Sequence, residues 1–223
     1  MSFISFAISL FQNQKTMSKD AKQRILEGAS SLFIKEGIKS ITMDEIAEHL
    51  GMSKRTIYEH FDDKKTLVYE CLKYMDSLID QKYGEIKGGS NNIMEQLMMV
   101  FRASENDIKN VNPKFFEDLR LVSTETDDYF HEKQKIRLRR KKEELEQGIA
   151  EGVIRPDLDT TIMSVMFDSE MSIMFKKVME QMKADNAFLK VHHVMVLTFI
   201  RGIATPKGME IIDKFTTEEK QKD

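Results

Sequence analysis

The stretch MDEIAEHLGMSKRTIYEHF, Met43 to Phe61, decides how this chain folds. Met43, Ile46, Ala47 and Leu50 recur at i, i+3, i+4 and i+7, one helical face, while Asp44, Glu45, Glu48 and His49 fall on the other. Thr42 and Glu45 form a T-x-x-E capping box that fixes the start, and Gly51 supplies the left-handed residue a tight stop requires. Ser53 then caps a second short helix whose Ile57 and Phe61 turn back toward the first. A small Ala47 at the crossing, a glycine four residues later and an isoleucine six beyond that give the spacing of a helix-turn-helix.

With Ile57 inward, the outer arc of the second helix carries Arg55, Thr56, Tyr58 and Glu59, with Lys54 and His60 at its margins. A helix N-terminus offers partial positive charge and free amides, and Lys54 and Arg55 make that tip anion-seeking; Lys64 and Lys65 extend it. Arg55 or Lys54 suits guanine O6 and N7, Thr56 a thymine methyl or a phosphate, and Tyr58 and His60 phosphates. Glu59 either accepts from cytosine N4 or faces water. The patch has to be local, because the formal charge of -3 gives the chain as a whole no attraction to nucleic acid or anionic membrane.

The rest of the composition fits a folded, mostly helical protein: 41% hydrophobic and 32% charged residues, 3 Pro and 10 Gly in 223 residues. The single cysteine, Cys71, excludes an intrachain disulfide or a zinc framework and suits a reducing cytoplasm. MSFISFAISLF lacks a basic n-region and is too short to span a bilayer, so residues 1–17 read as a disordered extension, with Met17 a candidate natural start. A first helix is expected from an N-cap at Ser18 to Gly37, and the domain of three helices over 18–65. A larger antiparallel helical bundle follows over 66–215, about nine to ten helices in total, with a frayed tail at 216–223.

In the bundle, helices are expected from about Asp63 to Glu85, ended by KGGSNN, then at about Ile93–Asn110, Pro113–Val122 and Thr126–Glu151. Segments Leu158–Met182 and Ala187–Ile203 are apolar around most of their circumference, which requires cover on more than one face and predicts a homodimer through 158–182 and 187–203. Met75, Met98, Phe101, Phe116, Phe130, Phe167 and Met171 are candidates to line a mainly apolar effector pocket, although taken singly each reads first as plain core. KQKIRLRRKKEELEQ, Lys133 to Gln147, reads as a solvated face on which Arg139 and Arg140 reach Glu143 and Glu144. His192 and His193 diverge around a helix and make a poor metal site, and no nucleophile elbow, phosphate loop or metal-spaced cluster marks an enzyme.

ITMDEIAEHLGMSKRTIYEHFDDKKTLVYECL, Ile41 to Leu72, resembles the TetR family of transcriptional regulators, supported by GVIRPDLDTT, Gly152 to Thr161. That resemblance implies an all-α homodimer binding a palindromic operator, with a larger domain that responds to a small molecule, most often as a repressor. It implies DNA contacts from Thr42, Ser53, Lys54, Arg55, Thr56, Tyr58, His60 and Lys64, no catalytic residues, no cofactor beyond an unidentified effector, and no membrane partner. The alternative is a dimeric helical module that holds a protein partner, with no specific DNA binding.

Overall fold

The computed structural model describes residues 20–109, 111, 112, 114, 115, 117, 118, 127–167 and 187–220. Among them the chain is all-helical: α1 (Ala21–Glu36), α2 (Met43–Leu50), α3 (Lys54–Tyr58), α4 (Lys64–Gly89), α5 (Ile93–Ile108), α6 (Asp127–Ala150), α7 (Ala187–Ile203) and α8 (Pro206–Lys220). Residues 160–167 are helical as well, and one isolated bridge joins Ile154 to Ala204. The chain divides into two compact units. One holds the described residues up to Lys82 with those of Asn106–Asp127, the other Tyr83–Glu105 with those from Asp128 onward.

This division reaches further along α4 than the expected boundary at residue 65. Leu67, Val68, Cys71, Leu72 and Met75 are buried, and Cys71 Sγ lies 3.7 Å from the Leu26 carbonyl, so the first half of α4 completes the core of the N-terminal helices. Burial pushes the Cys71 thiol up to about 12, which leaves it the inert apolar residue expected. In the same unit α1 buries Ile25, Leu26, Ala29, Phe33 and Ile34 and packs on α2, which packs on α3.

The C-terminal carbonyls of α1 find partners far along the sequence. Asn112 N–H donates to the Ile34 carbonyl at 3.0 Å and Asn112 Nδ2 to Lys35 at 2.8 Å. Asp118 Oδ2 accepts from the Lys39 amide at 2.8 Å. The chain passes so close here that a Cβ on Gly37 would stand 3.1 Å from Lys114 Cβ and from Asp118 Oδ2; with φ +89, this position suits only glycine.

Three boundaries differ from the sequence reading. α1 starts after Asp20, with Ser18 outside the described residues. α4 continues through Gly88 and Gly89, so the break falls at Ser90, inside KGGSNN rather than at its start. α8 runs to Lys220, so Thr216–Lys220 are helical where a tail is expected. Of the helix expected at 113–122, residues 114, 115, 117 and 118 are described and helical.

The second unit centres on Ile93, Met94, Met98, Phe101, Leu145, Val153, Ile154, Val196, Leu197, Ile200, Ile203 and Ile212. GVIRPDLDTT ties the end of α6 to the start of α8. Arg155 N–H donates to the Ile203 carbonyl at 2.9 Å, Thr205 N–H to Val153 at 3.1 Å, and the Arg155 guanidinium joins Asp157 to the Gly202 carbonyl. Asp159 Oδ1 then accepts from the amides of Thr161 and Ile162, starting the helix at 160–167.

Candidate nucleic-acid interface

The helix pair has the geometry its spacing predicts. Thr42 Oγ1 accepts from Glu45 N–H at 3.3 Å while Glu45 Oε2 accepts from Thr42 N–H at 2.7 Å, a complete capping box. Those bonds hold the Glu45 carboxyl below the usual carboxylate range. At the other end Gly51 takes φ 60, ψ 32; its amide donates to Glu48 and the Met52 amide to Ala47, the paired bonds of a Schellman turn. Ser53 Oγ accepts from Thr56 N–H at 3.0 Å, and Ile57 and Phe61 are buried.

One turn of helix remains. α3 has five residues, and the Ser53 side chain satisfies its Thr56 amide, leaving a short outward face of side chains. On that face Ser53, Lys54, Arg55, Tyr58 and His60 are exposed and Thr56 half-buried. Thr42 stands exposed at the start of α2. Lys64 is half-buried, with its Nζ donating to the Lys39 carbonyl at 3.3 Å, and burial holds its pKa below the ordinary lysine value. All eight candidate residues thus lie in the first unit. The sequence reading names Asp44 and Glu59 but assigns neither ion pair: Asp44, on α2, lies 2.9 Å from Lys54 Nζ, and Glu59 Oε1 lies 3.2 Å from Arg55 Nε.

The candidate pocket residues are less united. Met75 is buried in the first unit, whereas Met98 and Phe101 sit within the core of the second. Phe167, half-buried, packs against Phe199 with ring centroids 4.8 Å apart, and Lys141 Nζ stands 4.9 Å from its centroid. Phe116 and Met171 lie outside the described residues, as does the side chain of Phe130.

The run at 133–147 is not a single solvated face. Arg139 does approach Glu143, at 3.9 Å, but Arg140 lies over the Tyr83 ring at 4.1 Å and Glu144 turns inward, 3% exposed, with Lys141 Nζ 3.2 Å from its Oε2. Gln96 Nε2 bridges Tyr83 Oη, at 2.6 Å, and Glu144 Oε1, at 3.4 Å. Burial pushes the Glu144 carboxyl up to about 8. One face of α6 is therefore solvated and another is a buried polar network.

His192 and His193 do diverge, and no group of three metal-ligating side chains occurs among the described residues. His193 Nδ1 meets Glu105 at 2.7 Å, while His192 is buried beside Phe101 with its Nε2 3.3 Å from Ser104 Oγ. Because Ser104 donates its hydroxyl proton to the Phe101 carbonyl at 2.7 Å, His192 Nε2 carries the proton of that pair. Burial, and then the charge of His193, push His192 down to about 4. A folded pKa below the unfolded value means stability present above about 6.5 and lost as pH falls toward 4. Urea unfolding at pH 7 and pH 5 is expected to differ by about 2 kcal/mol from this group alone, a difference absent in His192→Gln. An equal pH dependence in the two proteins would show that His192 is not the group responsible.

Residues 25–71 match the model for bacterial regulatory proteins of the tetR family. The HTH-type transcriptional repressor KstR2 of Mycobacterium tuberculosis is 30% identical over 142 residues, which cover 62% of this chain and 71% of that one. The chain belongs to the TetR family. An HTH-type transcriptional regulator of Staphylococcus aureus is 50% identical over 60 residues, 26% of this chain and 32% of its own. The solved structure of KstR2 shares the fold of this TetR-family chain, with a TM-score of 0.58 at 23% identity, covering 85% of this chain and 97% of that one. So does a putative transcriptional regulator from Saccharomonospora viridis solved in complex with choline, with a TM-score of 0.60 at 19% identity and coverage of 83% and 98%. This TetR-family protein is a DNA-binding transcriptional regulator, and its relatives are regulators, not enzymes. No helix among the described residues is long and apolar enough to cross a membrane.

Proposed function

We propose that this regulator is a ligand-responsive repressor that binds a palindromic operator as a homodimer. The observation that carries the reading is the locked α2–α3 pair, which presents Lys54, Arg55, Tyr58 and His60 outward. Dimer formation is supported by apolar residues left in solvent: Ile162, Val165 and Met166, on one face of the helix at 160–167, and Val194 on α7. Thr198 and Gly202 continue the Val194 face at four-residue intervals, and both are exposed. Response to a small molecule is supported by the choline complex of a protein sharing the fold, and repression by the kinship with KstR2, named a repressor. A ligand shifts such an equilibrium only through unequal affinity for its two states. A module that merely holds a protein partner is disfavoured by the regulators among its relatives.

The test is binding of the purified chain to a palindromic fragment from upstream of its own gene, followed by fluorescence anisotropy across salt concentrations. Two chains per fragment are expected, with affinity falling steeply as salt rises. Tyr58→Ala and Lys64→Ala are each expected to weaken binding about tenfold, through lost phosphate contacts. Binding indifferent to salt and to both substitutions would defeat the proposal.

A further inference from the structure

By sequence, Lys54 and Arg55 are equal candidates to read a guanine. Their surroundings separate them. Lys54 Nζ lies 2.9 Å from both carboxylate oxygens of Asp44, on the preceding helix, and this pairing raises its pKa. Its charge is screened by the same protein that presents it. Arg55 has a side chain 89% exposed, with its Nε–H donating to Glu59 Oε1 at 3.2 Å, one helical turn further on.

That single bond matters because of guanidinium geometry. A guanidinium presents five N–H donors in a rigid planar fork, and two parallel ones match guanine O6 and N7. Glu59 occupies the Nε side, so the edge formed by the two Nη groups is the one left to solvent on a side chain that is largely exposed. No other polar group among the described residues engages it. The pair also resolves the awkward position of Glu59 on a face meant for an anion: its charge is offset by Arg55, and it restrains the long side chain that has to enter the groove. A lysine ammonium has no such fork and gives no matching pair of parallel bonds.

We propose that Arg55 is the guanine-reading residue of this regulator, donating from both Nη groups to O6 and N7 of one guanine per half-site, with Glu59 as its positioning residue and Lys54 contributing charge without base preference. The inference rests on the DNA-binding reading above and specifies the base it reads.

The experiment has two stages. Purified full-length protein selects sites from a randomised duplex pool, and the selected site is then remade with 7-deazaguanine at each guanine in turn, which removes N7 and preserves base pairing. At one guanine per half-site the wild-type chain is expected to lose roughly ten- to hundredfold in affinity on deaza substitution. The same substitution should leave Arg55→Ala unaffected and should still penalise Lys54→Ala in full. Glu59→Gln should blunt the deaza effect by roughly twofold, the scale of an exposed ion pair, with the salt dependence kept. The inference is overturned if the deaza penalty survives in Arg55→Ala, disappears in Lys54→Ala, or occurs at no guanine of the selected site. If the wild-type chain enriches no sequence at all, the DNA-binding reading fails with it. Both arginine and lysine variants lie on exposed side chains, so a folding defect does not confuse the comparison.

Discussion

Ile57→Ala is expected to reduce affinity for the operator duplex by roughly a thousandfold, the distance between specific and non-specific binding by such proteins. Ile57 is fully buried and is the only fully buried side chain within the five residues of α3. Truncating a buried isoleucine costs about 3 kcal/mol, counting the lost transfer energy and the cavity left behind. A one-turn helix has almost no stability of its own to set against that loss, because nucleation is unfavourable and most helical stability comes from packing. The consequence is confined to α3: Lys54, Arg55 and Tyr58 remain in the chain but are no longer presented as one face. Anisotropy with the operator fragment, beside far-ultraviolet circular dichroism, checks this. Near-wild-type helicity with binding reduced to a salt-driven residue is the expected pair of results, and Ile57→Val should fall between, with a cost of about 1 kcal/mol. Wild-type affinity in Ile57→Ala would mean that α3 does not depend on its anchor.

Gly208→Ala should be the most damaging single methyl group in the second unit. A Cβ there would stand 2.2 Å from the Val153 carbonyl oxygen and 3.0 Å from Met94 Cε. The methionine has room to move, but the carbonyl has little, since it accepts the Thr205 amide at 3.1 Å and neighbours the Ile154–Ala204 bridge. Relief of the collision has to move α8 or break that junction, an overpacking cost of about 3 kcal/mol. For a chain of this size that lowers Tm by about 6–12 °C, measured by calorimetry. Gly84→Ala, where a Cβ meets nothing within 4 Å, is the control and should be neutral or slightly stabilising. A Gly208→Ala protein melting with the wild type would show that α8 is free to shift without cost.

Both predictions depend on how local the interactions are. Thr42, Glu45, Gly51, Ser53 and Ile57 act over separations of one or two helical turns, so their pairing is written in the order of residues, and the structure reproduces it bond for bond. The same holds for Arg139 and Glu143. Nothing in residue order says that Asn112 and Asp118 will satisfy α1 and the turn after it, about eighty residues earlier, and therefore that Gly37 has no room for a side chain. Nor does periodicity distinguish a charged face in water from one turned inward. From sequence Glu144 reads as solvated because Arg140 stands four residues before it; only the approach of Tyr83 and Gln96 shows that it is buried.

Sequence alone determined that this protein is helical, where its helix-turn-helix lies, and which residues face outward from it, because capping and amphipathic spacing are short-range and repeat every turn. Tertiary structure decided what each outward charge is able to do. Lys54 is held by Asp44, ten residues away on another helix, whereas the Arg55–Glu59 pair, one turn apart, is as local as the caps. Whether a cation is screened depends on where the nearest carboxylate oxygen sits in space, and that distance is fixed only when two helices cross.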